Sequence, residues 1–116
     1  FSYSGYFAAV ETDAAMAFAA SYKNAYGADA PTLNSLGQST YEGLLLLAAL
    51  GNKAGSLDVA AMDAAAEGTQ WTTPRGDNTM SGRHVAQNIY LAEGTGGEFG
   101  VVATFNNVAS SDACNK

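Results

Sequence analysis

Few side chains in this sequence are spaced to do chemistry together. His84 is the one histidine, and Ser81 lies three positions before it. A serine becomes a nucleophile only beside a base that takes its proton, so Ser81-Gly82-Arg83-His84 offers the outline of such a pair. The carboxylate nearest to His84 in sequence is Asp77, and no third group is spaced to orient the imidazole. The expectation is a turn with a solvated or capping histidine. Glu11 with Asp13, and Asp58 with Asp63, read as helix-start anions and a solvated face. A metal centre needs several convergent ligands, and none is assigned. Gly94, Gly96 and Gly97 look like a phosphate loop but precede a strand instead of opening a helix, so the helix-end amides of a phosphate cradle are missing. No catalytic residue, metal ligand or cofactor follows from these patterns. The single Cys114 sits among polar residues and reads as a free or intermolecular thiol.

The other candidates are aromatic. Phe1, Tyr3, Tyr6 and Phe7 pack a strand or border a ligand cleft, where tyrosine supplies a polar tip to an apolar wall. Strand packing is the favoured reading. Trp71 reads as a core or surface anchor.

Composition bounds the function classes. The 116 residues suffice for one domain with one core. Hydrophobic residues make up 47% and charged residues 14%, which excludes disorder. The net charge of −6 gives no basic footprint for nucleic acid or an anionic membrane. No apolar stretch is long enough to span a bilayer. Phe1 to Val10 lacks the basic start and apolar core of a signal peptide, as a mature secreted chain also would.

The elements that must position these residues are organised around Ser35 to Gly55. Its apolar stretch, Leu44 to Leu50, predicts a helix buried nearly all round. Ser35 and Gln38 have the spacing of a capping box, and Lys53 with Gly55 marks the end. Before it, residues 1–9 read as a strand. A helix then runs from Thr12, as N-cap, to Gly27, with Ala15, Phe18, Ala19, Tyr22 and Tyr26 at helical spacing. After it, a third helix begins at Ser56 and ends at Gly68. Short strands follow over Thr69–Thr73 and Asn78–Met80, with Pro74 to Asp77 as the turn. Alternation from Val85 to Ala92 predicts a longer strand, Glu93 to Gly97 a turn, and Glu98 to Phe105 the last strand, with a polar tail from Asn106. The order is a strand, three helices and a β-hairpin-rich end, an α+β pattern.

In this order the chain resembles the C-terminal part of type I periplasmic solute-binding proteins. The branch it is most similar to binds short amides, urea and branched-chain amino acids. The resemblance lies in Tyr6-Phe7 leading to Glu11-Thr12 and Phe18, in Tyr26-Gly27, in Thr40-Tyr41, and in Lys53 to Ser56. It continues through Pro74-Arg75-Gly76, then His84 with Ile89 and Leu91, and ends at Gly97 with Phe99. Two departures stand out: a short turn between Gly76 and His84, and Arg83 in place of the usual Asn before the histidine.

The resemblance implies an α/β fold of two lobes closing over a small ligand, with residues 1–116 forming a single partial domain. It implies binding without catalysis: capture of a small amide, urea or branched-chain amino acid for an ABC-type importer, in the periplasm or outside the cell. The partners it implies are that solute, the transporter permease, and either a missing N-terminal segment or a second copy. The approach to the central helix, Leu36, Gly37 and Tyr41, is the stretch it places at the cleft. A cytoplasmic amide sensor and a structural subunit of an extracellular assembly are the alternative readings. The first and last strands are expected to pair with strands beyond the chain.

Overall fold

The computed structural model describes residues 1–109; Cys114 lies outside them. Strand β1 spans only Ser2–Ser4 of the nine residues expected. The chain breaks from extended geometry at Gly5, and a turn closed by Val10 N–H donating to the Phe7 carbonyl at 3.0 Å leads to the first helix. Helix α1, Asp13–Tyr26, begins as expected: the Thr12 hydroxyl accepts from Ala15 N–H at 3.2 Å. Asp13 lies in its first turn and Lys23 in its last, each opposing the local end of the helix dipole. Gly27, at φ 89°, ends it.

Helix α2, Ser35–Ala54, departs from expectation at its start. Its cap is Asn34, not Ser35: Asn34 Oδ1 accepts from Gly37 N–H at 2.9 Å. Asparagine caps as well as serine, and its extended backbone one residue earlier takes the role. Gln38 therefore does not complete a capping box. It is fully buried, with no hydrogen-bond partner for either amide atom among the described residues. Gly55, left-handed at φ 64°, closes the helix.

The burial of α2 is also the reverse of the expectation. Its buried residues are Gln38 and Glu42, while Leu44 is 63% and Leu47 48% exposed. Leu45, Leu46, Ala49 and Leu50 are half-buried. Along this face Tyr41 meets α1, while Leu44, Leu47 and Ala48 stay exposed, with no element of the described residues packed over them.

Helix α3, Val59–Ala65, starts later than Ser56 because the Asp58 carboxylate accepts from Ala60 and Ala61 N–H, each at 3.1 Å, and so serves as the N-cap. The axes of α2 and α3 meet at 91°, and among the described residues no single helix is long and apolar enough to cross a membrane. Strands β2, Gln70–Thr73, β3, Gly76–Ser81, and β4, His84–Val85, form one antiparallel sheet. Strands β5, Gln87–Thr95, and β6, Glu98–Val108, form a hairpin that β1 joins on the far side of β5. Ser2 pairs with Ala92 and Ser4 with Tyr90. Thus β1 and β6 each pair with β5 within the chain, and each leaves its outer edge unpaired among the described residues, where the strands expected beyond the chain would add. β6 runs past Phe105 because Asn107 N–H donates to Asn88 Oδ1 at 2.9 Å.

The core lies between α1 and this second sheet, not around α2. Tyr6, Phe7, Val10, Ala15, Tyr90 and Ala92 form it, with Phe18, Leu33 and Val101 packed against it. The aromatic cluster read from the sequence therefore splits: Tyr6 and Phe7 are buried, Phe1 and Tyr3 exposed. Tyr6 meets Phe18 edge to face at 6.2 Å between centroids, a favoured arrangement of ring quadrupoles.

Burial raises the Tyr6 phenol above its ordinary 10.0. The fold thus favours the neutral form. That contribution is complete below about pH 10, where the unfolded tyrosine is neutral too, and is lost as pH rises through the raised value. Urea midpoints measured from about pH 8 to about pH 11 should fall on the alkaline side. Tyr6→Phe should fall less steeply, and identical profiles would contradict this account.

Candidate functional site

Helix α1 and the start of α2 diverge around an open groove of about 480 Å³, within the range of small-ligand pockets. Phe18, Tyr22 and Tyr26 supply one wall at helical spacing, and Tyr41 and Leu44 supply the other. Phe18 and Tyr41 stack at 4.7 Å with 29° between ring planes, closing the base, and Tyr22 and Tyr26 lie 5.0 Å apart. The connection from Gly27 to Asn34 crosses one end, contributing Pro31, Thr32 and Leu33. Asn34 and Thr40 add polar groups, and among the described residues no charged side chain lines the groove. Such a surface suits a flat or branched apolar body, with hydroxyl and amide groups to orient it.

Of the residues placed at the cleft from the sequence, Gly37 and Tyr41 line this groove and Leu36 does not. Leu36 is 79% exposed. Phe18, Tyr22 and Tyr26 were legible only as a helix face, since period alone does not distinguish a wall from a core stripe.

The buried electrostatic centre was not anticipated. Arg75, in the turn between β2 and β3, meets Glu42 of α2. Its Nε donates to Glu42 Oε1 at 3.0 Å and Oε2 at 2.9 Å, and its Nη2 also pairs with Oε2. Both residues are buried, so the charges are taken from water together. The Thr73 hydroxyl receives Arg75 N–H at 3.1 Å and Asn78 Nδ2 at 3.0 Å, which fixes the turn. A signal existed: Glu42 stands on a helix read as buried, and buried carboxylates are paired. With 5 basic residues in the chain, the choice of partner was narrow.

His84 lies on β4, exposed, opposite Ser81 in register. No hydrogen bond joins their side chains among the described residues, so the nucleophile–base outline is not assembled. Asp63 pairs instead with Arg83 at 2.7 Å on the surface. Among the described residues, no three His, Cys, Asp or Glu side chains converge. Gly96 and Gly97, at φ 65° and 88°, form the β5–β6 turn that glycine alone adopts without strain. Trp71 is half-buried on β2.

Three helices and two small three-stranded sheets in this order make a segment of the two-lobed α/β fold of type I periplasmic binding proteins. Residues 1–98 match the family model described as periplasmic binding protein, and the chain belongs to that family. A solute-binding protein of an ABC transporter from Rhodopseudomonas palustris BisB5, solved with 3,4-dihydroxybenzoic acid, superposes with a TM-score of 0.77 at 27% identity, over 98% of this chain and 32% of its own. An R. palustris solute-binding protein solved with benzoate gives 0.76 at 24%, over 96% and 31%. A leucine-binding protein from Thermotoga maritima MSB8 gives 0.72 at 18%, over 90% and 30%. The chain thus spans about a third of the length of these structures. No curated protein matches it.

Proposed function

We propose that this chain is the part of a two-lobed, non-catalytic solute-binding protein that supplies one wall of its ligand cleft, serving an ABC-type importer in the periplasm or outside the cell. The observation that carries the reading is the inverted burial of α2. A helix that hides Gln38 and Glu42 while showing Leu44 and Leu47 is built to be covered by more protein. The family match and the shared third of the solved structures agree with that.

The solute class that fits the groove is a small acid with an apolar body, an aromatic acid or a branched-chain amino acid. Its aromatic walls suit such a body, and the structures named above carry ligands of these kinds in their descriptions. Among the described residues no cation lines the groove, and in this reading the carboxylate is held by other segments of the protein. Tyr41 and Gly37 are the contact residues we assign here, and Leu36 serves the approach to the cleft. The amide and urea reading finds no counterpart among those structures. Closure follows from differential affinity: the solute stabilises the form in which both lobes touch it. The partners are the solute and the transporter permease.

Titration calorimetry of the full-length protein with 4-hydroxybenzoate, leucine and acetamide tests this. Binding of either acid is expected, weakened about tenfold or more by Tyr41→Ala through loss of the stacked wall. Binding of acetamide alone would return the solute class to amides, and binding of none of the three would overturn the reading.

A further inference from the structure

The chain divides into a sheet half, α1 with β1, β5 and β6, and a hairpin half, α2 and α3 with β2, β3 and β4; the two sheets share no strand. Among the described residues, one side-chain hydrogen bond joins these halves. It runs from Asn88 Nδ2 on β5 to the Arg75 carbonyl at 2.9 Å. Asn88 is itself anchored on the sheet side, because its Oδ1 receives Asn107 N–H of β6. On the hairpin side, Glu42 holds the Arg75 guanidinium through Nε and Nη2. A two-point hold on a planar group fixes its orientation as well as its position.

A second contact reaches the same residue from the sheet half. Gly5, the first residue after β1, lies against the Arg75 side chain. A β-carbon there would overlap Nη1 and stand 3.1 Å from Cζ. The far end of a free arginine would swing aside cheaply. This one is buried and held, so accommodating a methyl group means breaking the pair with Glu42.

Arg75 thus touches β5 with its backbone, the end of β1 with its side chain, and α2 through its charge. We propose that Arg75 is the pivot of this chain: a positioning residue that fixes the angle between the sheet half and the hairpin half. The pivot itself rests on these contacts alone. Its consequence for solute affinity rests on the two-lobed reading above. In a protein that closes over its ligand, the angle between its parts sets how much of the population is ready to bind.

The test is a distance measurement across the halves. Spin labels are placed at Asn52→Cys on α2 and Glu98→Cys on β6, both exposed positions, in full-length protein with its other cysteines changed to serine. Pulsed electron double resonance then gives the distance distribution without solute. The unaltered pivot is expected to give one narrow distribution. Asn88→Ala removes the one side-chain hydrogen bond between the halves, leaving the Phe18–Tyr41 stack and the buried pair intact, and it should broaden or displace that distribution. Gly5→Ala should do the same by pushing Arg75 off Glu42, and Arg75→Lys, which keeps the charge without the two-point hold, should fall between. Affinity for 4-hydroxybenzoate in the Asn88→Ala protein should change by about fivefold or more. Unchanged distances in Asn88→Ala overturn the pivot, even if Gly5→Ala fails to fold. If no solute binds but the distances move, the pivot stands and the solute-binding reading falls.

Discussion

Replacing Glu42 with alanine is expected to destabilise the chain by about 3–5 kcal/mol, because it strands the Arg75 charge in a buried site. The pair is worth far less as a pair than its breaking costs. Two charges moved out of water lose hydration that their attraction only roughly restores, whereas a lone buried charge recovers nothing. Glu42→Leu combined with Arg75→Met removes both charges and should recover most of the loss. Urea unfolding of the single and double variants gives the comparison. A single-variant loss near about 0.5 kcal/mol, the range of surface changes, would show that Arg75 escapes to solvent without disturbing the turn.

Leu44→Ala is expected to have two different effects according to what surrounds it. In the 116-residue chain alone, where Leu44 is 63% exposed, the loss should stay near about 0.5 kcal/mol. In the full-length protein proposed here, the same substitution should cost about 2–5 kcal/mol, because a covered leucine leaves a cavity when truncated. The contrast between the two proteins carries the information. Equal small losses in both would mean that nothing covers this face of α2, and the inverted burial would need another explanation.

These two residues also show where the sequence could be read and where it could not. Helix α1 was legible almost to the residue, because Thr12 and Gly27 are local signals that act through their own backbone neighbours. The face shared by Tyr41, Leu44 and Ala48 was legible too, being fixed by helical period. What period cannot give is which neighbour exists to cover a face, and so α2 was taken as the buried centre when the core lies between α1 and the β1–β5–β6 sheet. The cap of α2 was misplaced by one residue since Asn34 and Ser35 cap about equally well and only backbone geometry decides. Of the groove, Gly37 and Tyr41 were named in advance, while Phe18, Tyr22 and Tyr26 became a wall only once two helices were set at an angle. Arg75 was read as part of a turn, and its partner lies 33 residues away. Long-range charge pairing leaves no local pattern.

The register of β1 has a kinetic consequence. Ser4 pairs with Tyr90, so β1 docks on β5 only once the segment between them has come together. The β5–β6 hairpin is closed by a glycine turn and needs no distant partner, so it assembles on the microsecond scale of local hairpins. Bringing the first strand beside it closes a loop whose entropy is about 4 kcal/mol, set against a strand of only three residues. Within this sheet β1 is therefore the last strand to dock and the first to leave. During synthesis β1 cannot make this pairing until β5 has emerged.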